Sequence, residues 1–269
     1  MSVPPRLPPD AAEIARRLIA CRFTADEIAA RVRGIHEAVR RSSARITSGN
    51  FDIAAAEDLA LLFDLYDRDF FAGDLRRMVA TTGAPLAFEF SGRLTRSAGL
   101  TKRFAPRHRR GAPPPAPSRF EIVLSSTLLF QTFRDVERTV RVNGLVCYDR
   151  LEAAQRVFEH ELMHLLEMLV WAESSCTADR YKGLVWNVFG HTQTRHDLVT
   201  QQERARAKFD VKVGDRVTFD FDGARHTGVV NRITRRATVL VESPAGTPFS
   251  DGKRYLKFYV PLPMLTRVT

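Results

Sequence analysis

The chain has 269 residues, 44% of them hydrophobic and 27% charged, with eighteen Phe and a formal net charge of +10. That is material for one large or two modest globular domains, and no run approaches the eighteen or so consecutive apolar residues of a membrane-spanning helix. Three scattered cysteines (Cys21, Cys147 and Cys176) argue against a disulfide framework. With an N-terminus that reads as no secretory signal, they point to a cytoplasmic setting.

The first 50 residues read as a helical segment. AAEIARRLIACRF and ADEIAARVRGIHEAVRR carry helical apolar spacing, and Thr24 with Glu27 forms a capping box. Helix continues over 54–80, punctuated by Gly73. Alternation in LAFEF and the Ser91-Gly92 pair predict two antiparallel strands joined by a tight turn. The Pro-rich, basic stretch 105–118 excludes regular structure and reads as a loop. FEIVLSS (120–126) reads as a buried strand, and Asn143-Gly144 between alternating apolar residues as a primed-turn hairpin. Asp149 and Glu152 mark the start of a long helix, whose apolar positions keep helical spacing to about Trp171. AESSCT breaks it, and ADRYKGLVWNVF forms a second helix ended by Gly190. Beyond about residue 208, short β-rich runs separated by Gly, Asp and Pro predict a small barrel of about five strands. The charged run QQERARAKF reads as the connector.

Within the long helix stands His160-Glu161-Leu162-Met163-His164. Residues four apart share a helical face, so both imidazoles reach one ion at the usual zinc–nitrogen distance of about 2.0–2.1 Å. Glu161, about 100° round the wheel, falls beside a metal-activated water as general base. A catalytic zinc takes three protein ligands. His191 just past Gly190, Cys176 in the break and His196 are the candidates for the third. The rise of two antiparallel helices brings His191 back to the level of His160, whereas Cys176 sits at the turn and requires the loop to fold back.

These segments resemble the SprT-like (Spartan-type) zinc metalloproteases. The matching stretches are FDLYDRDFFAGDL, SGRLTRSAGL, FEIVLSSTLLF and FEHELMHLLE, in order across about half the chain. Ser91, Arg93, Thr95, Arg96, Ala98 and Gly99 look like the family's S-x-R-x-T-R-x-A-G strand pair. The resemblance implies an α+β, zincin-like metallopeptidase domain over 51–207 that hydrolyses peptide bonds of a protein or peptide substrate. His160 and His164 would be zinc ligands and Glu161 the catalytic acid/base. It also raises DNA-bound or DNA-crosslinked proteins as substrates. Where typical members carry a His for the third ligand, this chain reads Ser175-Cys176-Thr177, so alignment favours Cys176 and helix geometry favours His191. Residues 208–269 resemble a KOW- or Tudor-type SH3-like barrel, with Tyr255, Phe258 and Tyr259 as candidate stacking groups.

The positive charge favours acidic partners, nucleic acid first among them. Arg93, Arg96, Lys102 and Arg103, followed by Arg107, Arg109 and Arg110 and interleaved with Phe104, form the candidate DNA contact. The alternative to a protease is a nucleic-acid-binding protein with a structural zinc site. Four protein ligands with no open position would mark it.

Overall fold

The computed structural model describes residues 7–104 and 119–268. The Pro-rich stretch 105–118, with Arg107, Arg109 and Arg110, lies outside them. The chain is α+β and divides into two compact units, one of Met1–Phe130 with Thr139–Leu198, the other of Gln131–Arg138 with Val199–Thr269. No helix is long and apolar enough to cross a membrane among the described residues.

In the first unit the N-terminal helices pack on the rest of the unit. Helix α1 (Pro9–Ala20) packs on α4 (Asp74–Thr81), and α2 (Ala25–Ser42) packs on α3 (Ala56–Phe71) and on α6 (Arg150–Trp171). The capping box of Thr24 and Glu27 forms as its spacing predicts. Arg17 clamps α1 to α4 by donating from Nε and Nη2 to the Asp74 carboxylate at 2.6 and 2.9 Å.

The sheet corrects the expected hairpin. Strand β1 (Leu86–Ser91) and β2 (Gly99–Phe104) do not pair; β3 (Arg119–Ser125) lies between them, parallel to β1 and antiparallel to β2. The link 92–98 is tied instead to the end of β3 and the start of α5 (Ser126–Gln131). Ser125 Oγ donates to the Leu94 carbonyl, the Ser125 N–H to that of Ala98, and Thr127 Oγ1 to that of Gly92. Ile122, Val123 and Leu124 are almost wholly buried, so the most apolar strand takes the centre, and β2 becomes an edge among the described residues.

The Asn143-Gly144 hairpin joins β4 (Val140–Val142) to β5 (Leu145–Cys147), with φ of 54° and 86° at its two turn residues as a primed turn demands. It leads into α6, where Asp149 accepts from the Glu152 N–H at 2.8 Å. Helix α7 (Asp179–Phe189) packs on α6 and ends at Gly190, whose φ of 67° suits glycine.

In the second unit, β6 (Arg216–Phe221), β7 (Ala224–Ile233), β8 (Ala237–Pro248), β9 (Arg254–Val260) and β10 (Thr266–Arg267) form one antiparallel sheet in the order β10-β6-β7-β8-β9. Val217, Phe219, Val230, Val239 and Val260 fill its core. The boundary falls at 198/199 rather than at 207/208. QQERARAKF is a capped helix, α8 (Gln201–Phe209), whose Ala205 belongs to this core and whose Arg204 and Lys208 pair with Asp135. Polar composition suggested a connector; one buried alanine and two ion pairs make it part of the unit.

The Arg17–Asp74 clamp has a defined pH signature. Hydrogen bonding and charge from Arg17 hold the Asp74 carboxyl below its usual range, against the opposing effect of burial. A depressed carboxylate contributes stability above its unfolded value near 3.8, and that contribution disappears as pH falls through the lower folded value. Since Arg17 is half exposed, Asp74→Asn is expected to cost about 1 kcal/mol at pH 7. Thermal melts should show the deficit at pH 7 and a shrinking one as pH falls below about 3.8.

Candidate metal centre

Helix α6 sends three consecutive side chains to three destinations. Glu159 is fully buried. Its Oε1 accepts from Tyr66 Oη at 2.7 Å, Arg156 Nη1 lies 3.1 Å from both its oxygens, and His191 Nε2 lies 2.7 Å from Oε2. Burial opposes ionisation of Glu159, but Arg156, His191 and Tyr66 outweigh it and hold its carboxyl below the usual range. Gln155 extends the network, donating to the Val32 carbonyl at 3.0 Å and to Tyr66 Oη at 3.3 Å.

His160 and His164 emerge on the next face, with their Nε2 atoms 3.1 Å apart. Two nitrogens on one tetrahedral ion at about 2.0–2.1 Å lie about 3.3 Å from each other, so the spacing fits. Cys176 Sγ joins them: the three donor atoms lie within 4.8 Å of one another. Helix α6 ends at Ala172 in the left-handed conformation (φ 60°), and the chain then turns back. Glu167 secures the returning segment, accepting from Ser174 Oγ at 2.7 Å and from the Ser175 N–H at 3.2 Å.

His191 therefore stands apart from the donor group. The helical rise brought it to the right level, opposite Glu159, but Glu159 is one residue and about 100° from His160. His191 thus meets the buried network behind the helix. His196 is in the strand bridge to Val142, and it is not in the donor group either.

The hydrogen bonds also fix a tautomer. Ser174 Oγ donates to Glu167, so at its 2.6 Å contact with His164 Nδ1 it accepts. His164 then carries its proton on Nδ1 and turns the Nε2 lone pair towards His160 and Cys176. This is the carboxylate-backed arrangement common to metal-ligating histidines. Arg180 Nε donates to the other Glu167 oxygen at 2.7 Å while its guanidinium lies 4.4 Å from the Trp171 ring centroid. Burial, reinforced by the His164 charge, pushes His160 down to about 3, and burial likewise lowers His164. Both rings are neutral at pH 7, the form that binds a metal. Tyr181 braces them: its hydroxyl donates to the His160 carbonyl at 2.9 Å and its ring centroid lies 5.2 and 4.7 Å from the two imidazoles.

Glu161 points towards β2. Thr101 Oγ1 lies 2.8 Å from its Oε2 and 3.0 Å from its carbonyl oxygen. A Cβ on Gly99 would stand 2.5 Å from its Oε1, so only glycine admits the carboxylate there. Burial raises the Glu161 carboxyl to about 7, with Thr101 opposing the rise. That value suits a group that accepts and returns a proton at neutral pH.

Motif reading located His160, Glu161 and His164 but missed Gly99 and Thr101 as partners of Glu161, and missed Ser174, Glu167, Arg180 and Tyr181. Glu167, three residues after His164, carried the only local signal, since i and i+3 share a face. Of the basic candidates, Arg93 and Arg96 are exposed on the 92–98 link and Arg103 is exposed on β2, while Lys102 is paired with Glu121 at 3.0 Å.

Ser174→Ala is expected to weaken zinc affinity by about 10–100-fold, and Cys176→Ala by more. His191→Gln should leave zinc stoichiometry intact and lower the melting temperature; competition against a chelating dye and thermal melts check both. No family model, curated protein or solved structure matches this chain.

Proposed function

We propose that this protein is a zinc-dependent metallopeptidase of the SprT-like kind. The observation that carries the reading is the convergence of His160, His164 and Cys176; Glu161, the residue after His160, is buried and raised to about 7. Three donors leave a tetrahedral ion one position for solvent, whereas a structural site closes all four. His191, the candidate fourth ligand, is engaged by Glu159. Both points favour catalysis over a structural zinc.

Bound zinc would polarise the scissile carbonyl and lower the pKa of water towards about 7. Glu161, aimed by Thr101 and Gly99, takes the proton of the attacking water and returns it to the leaving amine. Strand β2 is an edge among the described residues, and its Gly99 and Thr101 touch Glu161. An extended peptide adding to that edge through main-chain hydrogen bonds lies alongside the general base. Proteins bound or crosslinked to DNA are the proposed substrates, with Arg93, Arg96 and Arg103 as the DNA contacts of this unit. The five-stranded sheet of 199–269 is read as a small SH3-like barrel.

Glu161→Gln keeps the shape of the side chain but cannot take up a proton. It is expected to bind one zinc per chain and to lose at least about 10²-fold in peptide-bond cleavage. Metal analysis together with cleavage of a protein substrate, with and without DNA, checks this. Wild-type activity in the zinc-loaded variant would end the proposal.

A further inference from the structure

The second unit carries thirteen Lys or Arg against seven Asp or Glu over 199–269, and the sheet register sorts them by face. Val217, Val239 and Val260 point into the core, so strand alternation puts Arg216, Leu240 and Lys257 on the opposite face, where Leu240 is buried and Arg216 and Lys257 are exposed. Registered pairs align Arg216, Val229, Leu240 and Lys257 in one row across four strands. It is an apolar pair with a cation at each end. The next row aligns Arg232, Thr238 and Tyr259. Arg232 reaches this face because the bulge between Val230 and Arg232 skips Asn231, shifting the alternation by one residue.

On β9 the outward residues read Tyr255, Lys257, Tyr259. Phe249 extends them: Lys257 Nζ lies 5.1 Å from its ring centroid, and the Tyr255 ring meets it edge-on at 5.2 Å. Tyr259 is 66% exposed and Val229 43%. The carboxylates of this face lie on the side of Lys257 away from Tyr259: Asp220 is opposite Arg225, Glu242 is opposite Tyr255 and paired with Lys253 at 2.7 Å, and Asp251 accepts from Tyr255 Oη at 2.8 Å. Around Tyr259 the outward side chains are cationic, apolar or neutral.

We infer that this face binds single-stranded nucleic acid, with Tyr259 as a stacking platform and Arg216, Arg232 and Lys257 holding phosphates. A flat exposed ring between cations offers π-stacking to an unpaired base and charge to its backbone, which is how sequence-tolerant single-strand binding works. In a duplex the bases are already stacked, so the ring has nothing to engage. An acidic peptide would satisfy the cations and leave the ring unused. The inference does not depend on zinc or on peptide hydrolysis.

Fluorescence anisotropy of the full chain with labelled oligothymidylate, oligouridylate and a duplex of equal length tests it. Both single strands should bind more tightly than the duplex. Tyr259→Ala should weaken single-strand binding about tenfold, and Tyr259→Phe should restore it. Arg232→Gln and Lys257→Gln should each flatten the dependence of log K on log salt by nearly one phosphate. The exposure of these positions predicts unchanged melting temperatures, checked for each variant. Equal affinity for duplex, no effect of Tyr259→Ala, or loss only on replacing Arg93, Arg96 and Arg103 would each overturn the assignment.

Discussion

The buried carboxylate of Glu159 sets the rotation of α6, and everything at the candidate metal centre follows from that rotation. A fully desolvated charge is costly unless it is paired and hydrogen-bonded. Arg156, Tyr66 and His191 satisfy Glu159 from its own helix, from α3 and from the end of α7. With that face committed, the 100° step per residue fixes where His160 and Glu161 go. Turning the helix would leave an unpaired buried charge, so the donor histidines are held by an interaction that lies behind them.

The same economy of faces separates the two roles of the motif. His160 and His164 look towards the segment after α6, where the left-handed Ala172 and the Glu167 staple bring Cys176 in. Glu161, one residue on from His160, meets the edge strand, where the missing side chain of Gly99 makes room and Thr101 supplies a donor. Placing a carboxylate in such a dry position works against stability, since burial raises it to about 7. That cost is expected where a group must exchange protons at neutral pH.

The second unit applies strand alternation to a different end. Its inward positions form a compact apolar core, and its outward positions, adjusted by one bulge, align cations around an exposed tyrosine. The sheet face belongs to the second unit, and Arg93, Arg96 and Arg103 to the first. The proposed activity and the inferred binding therefore have separate tests.

The linear chain disclosed whatever depends on neighbours a few residues apart. The Thr24 and Asp149 caps, the Asn143-Gly144 turn, the ends of α6 and α7 and the shared face of His160 and His164 are all local, because hydrogen-bonded turns and helical periodicity reach no further than about four residues. Composition likewise suggested a β-rich C-terminal unit, though α8 proved part of it. What no local pattern contained was the insertion of β3 between β1 and β2, the choice of Cys176 over His191, and the placement of Gly99 and Thr101 against Glu161. Each joins residues from about ten to over sixty positions apart; the first was decided by which strand is most apolar, the other two by which polar group found its partner once the core had closed. His191 had the right height along the helix, but Glu159 needed it more than the donor group did.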